Sequence, residues 1–186
     1  MRNIAIAIGM GLVSILSLGS KSQAQSGPSD PQIVGIVLAA DDIDINYGKI
    51  ALSKSKNKAV SEFAQQMVTD HSAVQKSVRD LASKLGVTAQ DSDTSKALNS
   101  KSDEITAKLN VLKGKEFDRF YIDNEVVYHK QVTDAVAGVL IPSAQNAELK
   151  AALEGAQPLF LGHLEHAKKA QASVEKGKSA MTAKAY

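Results

Sequence analysis

The chain contains no cysteine. Disulfides, thiolate catalysis, iron–sulfur clusters, cysteine-type zinc sites and lipid anchoring on cysteine are therefore excluded. Tryptophan is absent and aromatic residues are only 4% of the 186, so a core must be built mainly from aliphatic side chains. Only four prolines interrupt the sequence, which leaves long stretches free to run as helix. An excess of one charge sign is also missing beyond a formal +2. Arg2 and Lys21 lie in a segment expected to be removed, which holds no acid; the remainder carries 20 basic against 20 acidic residues. A neutral chain with interspersed charges offers no electrostatic footprint for nucleic acid and no polybasic patch for a membrane surface. No Gly-rich phosphate loop, nucleophile elbow or His-Glu-x-x-His zinc-protease motif is found.

Residues 1–24 have the layout of a secretory signal peptide. Arg2 supplies the positive start, Ile4 to Leu18 the apolar stretch, and Ser22-Gln23-Ala24 the small residues read by a signal peptidase. The apolar run spans about 15 residues, short of the ~20 that cross a bilayer. Cleavage after Ala24 is therefore expected, with delivery to a periplasm or the outside and no stable membrane insertion afterwards.

What is present is helix-forming sequence rich in Ala, Leu, Val, Lys, Ser and Gln. After a flexible lead at 25–30, a helical domain is expected over 31–174, followed by a polar tail at 175–186. Asp30-Pro31 reads as cap and first turn of a helix running to about Ser55, with Ile33, Val37, Ala40, Asp44, Tyr47 and Ala51 on one stripe. Asn57 caps a second helix, about Lys58 to Leu85, closed by Gly86. Its stripe of Val60, Phe63, Ala64, Met67, His71, Val74 and Val78 suits a core-facing helix. A polar loop over 87–95 precedes a short helix, about Ser95 to Leu112. A third long helix is expected from Glu116 to Leu140, carrying Asp118, Ile122, Glu125, Val126, His129, Val132 and Val136 on one face. The fourth, Ala144 to Val174, carries Leu149, Leu153, Phe160, His163 and Ala167, with Pro158 expected to kink it. Four long helices plus one short one, without strand signals, define an all-α four-helix bundle.

All four histidines of the chain fall in long helices. His71, His129 and His163 each lie on the apolar stripe of a different helix, and His166 follows His163 by three residues. Asp44 and Glu125 join the corresponding stripes. A bundle core can gather such ligands from facing helices onto one ion, and imidazole with carboxylate suits iron, zinc, manganese or copper. His71, His129, His163, His166, Asp44 and Glu125 are therefore the candidate ligands for a divalent transition metal. The Glu-x-x-His pairs of di-iron bundles are not reproduced, because Val68 and Val126 stand three residues before His71 and His129. The alternative from the same residues is a metal-free buried network of His, Asp, Glu and Tyr. The Lys-rich stretches at 54–58 and 168–169 read as solvated helix ends.

Phe63-Ala64-Gln65-Gln66-Met67-Val68-Thr69-Asp70-His71, then Phe117-Asp118 with Tyr121-Ile122, Val126 and His129, then Pro158 with His163, Leu164 and Ala167, occur in that order. Together they resemble the exported bacterial family called domain of unknown function 4142. The resemblance spans about residues 31–172. It implies a ferritin-like four-helix bundle, usually exported, with no established general activity. That family's first helix often reads Glu-x-Glu-x-Gly-Lys; here Asp44 keeps a carboxylate and Asn46 does not. Two functions are carried forward: an exported metal-binding protein linked to stress, and a non-enzymatic envelope interaction or structural protein. A redox di-metal enzyme would need a bridging carboxylate that the sequence does not locate.

Overall fold

The computed structural model describes residues 27–182, with side-chain surroundings for residues 27–176. The signal-peptide expectation for residues 1–24 lies outside the described residues. The helices are α1 (Asp30–Lys54), α2 (Lys58–Leu85), α3 (Asp93–Val111), α4 (Gly114–Ala135), α5 (Ile141–Ser143) and α6 (Ala147–Thr182). A π-helical turn, Val136–Leu140, joins α4 to the single turn α5. No strand occurs among the described residues, so the fold is all-α, with four long helices and one shorter one.

Local chemistry sets the helix ends. The Asn57 side chain accepts from the backbone amides of Ala59 and Val60 at the start of α2. Gly86 closes the same helix at φ 64°, a conformation in which a side chain would clash. Asn146 accepts from Glu148 and Leu149 at the start of α6. At α1 the cap is Ser29 rather than Asp30. Gln32 reaches back to the Ser29 amide, and the Asp30 carboxylate instead accepts from the amides of Gln145 and Asn146. Asp30 thus ties the start of α1 to the start of α6. Helix α6 continues through Thr182, where a polar tail was expected from 175.

Helix α1 packs most extensively on α2, and α4 on α6; α1 also meets α4, and α2 meets α6, which closes a ring of four. The shorter α3 lies outside that ring against α1 and α4. Lys54 anchors its end by donating to the carbonyls of Leu109 and Asn110, both at 2.6 Å. Gly48 permits the close approach of α1 to α2. A Cβ there would lie 2.8 Å from Val68 and 3.0 Å from the Ala64 carbonyl.

The core has two apolar parts. One gathers Tyr47, Ala51, Val60, Phe63, Met67, Leu109, Phe117, Tyr121, Ile122, Ala167 and Ala170. The other gathers Ile33, Val37, Ala82, Val136, Leu140, Leu149, Leu153 and Phe160. The four long helices pass these parts in alternating order, so ring neighbours run antiparallel. Each large side chain buried in this way contributes roughly 1.5–3 kcal/mol. Between the two parts, every long helix turns a polar residue inward: Asp41 and Asp44 on α1, His71 on α2, Glu125 and His129 on α4, and His163 on α6.

Candidate metal centre

The inward polar residues form one cluster because each occupies a stripe position that would otherwise be apolar. Nitrogens of His71, His129 and His163 lie within 4.8 Å of one another. Ligand atoms of Asp44, Glu125 and His129 form a second trio within the same limit. His129 belongs to both trios and so links five side chains from four helices into one cluster. All five are at most 3% exposed. The ring centroids of His71 and His163 are 5.1 Å apart, and those of His129 and His163 are 5.4 Å apart.

The outer atoms of these histidines are held. His71 Nδ1 lies 2.8 Å from the Asp41 carboxylate, and Phe160 stacks on the same ring. His129 Nδ1 donates to the Glu125 carbonyl at 3.1 Å. His163 Nε2 lies 2.9 Å from Asp70, which also accepts from Gln66. The carbonyl beside His129 can only accept, so that ring carries its proton on Nδ1 and a lone pair on Nε2; at His71 and His163 the carboxyl partners hold the ring and turn the other nitrogen toward the centre. Those inner nitrogens, His71 Nε2, His129 Nε2 and His163 Nδ1, have no hydrogen-bond partner. Neither do both oxygens of Asp44 and both of Glu125. Within the cluster Asp44 lies 3.1 Å from His71 Nε2 and 3.4 Å from His129 Nε2, and the Glu125 carboxyl lies 3.4 Å from His129 Nδ1.

Burial sets the protonation states. It raises Glu125 to about 8. Asp44 rises to about 7, mainly through burial and then the neighbouring Glu125 charge, against the opposing pull of His71 and His129. Asp41 reaches about 8 by burial, reinforced by Asp42 and opposed by Arg79. Burial lowers His71. It also lowers His163 to about 4, although the Asp70 bond opposes the shift. Near neutral pH the site therefore presents His71 and His163 as neutral imidazoles beside carboxyls poised to lose protons. Without an ion, a proton held by Asp44 or Glu125 can bridge that pair, a hydrogen bond that itself raises Asp44.

Five of the residues singled out by sequence, His71, His129, His163, Asp44 and Glu125, are brought together. His166 is not: it is half-buried and its Nδ1 lies 2.6 Å from the Gln66 side-chain oxygen. It belongs to an outer chain running His166–Gln66–Asp70–His163. Asp118 is also remote from the cluster, accepting from Ser55 at 2.6 Å. Asp41 and Asp70 are the residues that sequence reasoning missed. Asp41 lies three residues before Asp44, on the same helical face, a detectable signal. Asp70 reaches its histidine from another helix, and nothing local to its sequence reveals that.

A bundle whose mid-level is lined by three imidazoles and two carboxylates defines a class of helical protein with a buried His/carboxylate centre. The chain belongs to the family described as Domain of unknown function (DUF4142), which it matches over residues 16–170. No curated protein and no solved structure shows significant similarity to it. Among the described residues no helix is long and apolar enough to cross a membrane.

Proposed function

We propose that this protein binds one divalent transition-metal ion at the mid-level of its bundle, through His71, His129, His163, Asp44 and Glu125. The observation that carries this reading is the set of seven inward-facing polar atoms, buried and without hydrogen-bond partners. Each such orphan costs about 1–3 kcal/mol in a metal-free fold, and an ion would satisfy them together. The donor set of three nitrogens and two carboxylates suits zinc, iron, manganese or copper. Bonds of about 2.0–2.2 Å place ligand atoms around an ion roughly 3–3.5 Å apart, so small side-chain rotations close the trios. Asp41 and Asp70 hold the outer nitrogens of two ligands, the arrangement that fixes ring orientation and raises ligand basicity.

The protein acts outside the cytoplasm, after loss of its first 24 residues, as a metal-handling or stress-linked protein rather than an enzyme. A second reading keeps the cluster metal-free, with a proton shared between Asp44 and Glu125. It accounts for the carboxyls, and a proton on Asp44 could serve His71 Nε2 at 3.1 Å, but it leaves the inner nitrogens of His129 and His163 without a partner. Metal analysis and calorimetric titration of the purified chain separate the two. One equivalent of zinc or cobalt should bind, His163→Gln should abolish tight binding, and His166→Gln should leave it within about threefold, because His166 lies outside the ligand set. Affinity no tighter than millimolar for iron, zinc, manganese and copper would overturn the proposal.

A further inference from the structure

Beside the cluster lies a cavity of about 150 Å³. It runs inward between α1, α3 and α4. Thr94, Gln131 and Ala135, all exposed, stand at its mouth. Ile36, Val132, Leu140 and Phe160 are among its walls, and Asp41, Asp44 and His71 close its inner end. His129, His163 and Glu125 are not among its lining residues, so the cavity is distinct from the centre and shares one wall with it.

Three observations bear on what this space holds. An apolar cavity of this size is large enough for a molecule such as benzene. Its wall includes Val136 and Leu140 of the π-helical turn. Such turns displace side chains from the regular helical register and are frequent at functional sites. At the inner end, Asp41 is 1% exposed and keeps one carboxyl oxygen without any partner, although its other oxygen is bonded to His71. An apolar body with one hydroxyl would fill the volume and supply a hydrogen-bond partner to that oxygen.

We infer that this cavity is a binding site for a small neutral aromatic alcohol or a similar flat, apolar molecule with a single hydroxyl. The body packs between Ile36, Val132, Leu140 and Phe160, and the hydroxyl reaches the Asp41 end. An anion of the same shape is rejected, because it would have to be desolvated in an apolar space that ends at two acidic residues. The site does not depend on the metal reading, and an occupant would lie against the ligands Asp44 and His71.

The test uses the purified full chain without added metal. Phenol, benzene and benzoate are titrated in turn while backbone amide resonances are followed by NMR. Saturable phenol-induced shifts centred on Ala40, Val132, Ala135 and Leu140 are expected. Benzene should bind more weakly than phenol, and benzoate at least about tenfold more weakly, for the desolvation reason above. Ala135→Trp at the exposed mouth should block phenol while leaving the helical spectrum and zinc stoichiometry unchanged. Absence of saturable phenol shifts, undiminished phenol binding in Ala135→Trp, or benzene or benzoate binding as tightly as phenol would overturn the inference. Zinc titration of the same sample reports separately on the metal centre, so either reading can fail alone.

Discussion

Raising the pH from 6 to 8 should tighten metal binding by more than two orders of magnitude, because the ion must displace protons from Asp44 and Glu125. Asp44 titrates at about 7 and Glu125 at about 8. At pH 6 proton competition weakens binding about tenfold through Asp44 and about a hundredfold through Glu125; at pH 8 the factors fall to about one and about two. The ratio is about 500-fold, or roughly 4 kcal/mol. His163, lowered to about 4, is neutral across this range and adds little, and burial shifts His71 in the same direction. Calorimetry in buffers of differing ionisation enthalpy reads both quantities: about two protons should be released per ion at pH 6 and about half a proton at pH 8. Stability of the metal-free chain should move the other way. The folded state of Asp41, Asp44 and Glu125 holds protons that the unfolded chain has already lost, so their contribution is present at low pH and disappears as pH rises through about 7–8. His71 and His163 oppose this only below the ordinary histidine value of 6.5. Between pH 6.5 and 8 the metal-free protein should therefore lose stability, while the loaded protein gains affinity. A flat affinity over pH 6–8, or binding without proton release, would refute the argument.

Two substitutions test the parts around the centre. Asp41→Asn removes the carboxylate that orients His71 without touching an inner ligand atom, and should weaken zinc about 10- to 100-fold by calorimetry. Gly48→Ala places a methyl group 2.8 Å from Val68 and 3.0 Å from the Ala64 carbonyl. It should cost about 1–3 kcal/mol in urea unfolding, and Val68→Ala in the same chain should recover part of that, since only the side-chain clash is relieved.

The parts of the fold that sequence makes legible are those with chemical markers at their ends. Asn57 and Gly86 bracket α2 at the expected residues, because a cap side chain and a left-handed glycine are local requirements. The stretch after Ala135 carries no such marker. Val136 and Leu140 keep an apolar spacing compatible with continued α-helix, so that spacing does not signal the π turn. Pro142 is accommodated because it lies in the first turn of α5, where its missing N–H costs nothing. Pro158 lies inside α6, which continues on both sides of it. The inner members of the cluster are legible for a related reason. A histidine or carboxylate on an apolar stripe must be buried wherever that stripe packs. His166 sits one helical step off the buried line, where spacing alone cannot distinguish a centre-facing ring from a boundary one. Asp70 shows the complementary limit, since its role depends on a helix more than ninety residues away.

The alternation of apolar, polar and apolar levels along all four long helices has a kinetic consequence. A guest lodged at the middle level would touch every strut of the ring and be shut in from above and below by oily side chains. Its escape along the bundle axis is closed, and the way left to it is sideways, past Asp44 and His71 and along the apolar cavity between α1, α3 and α4. A bare ion would lose its hydration on that path, so exchange with the surroundings would be slow.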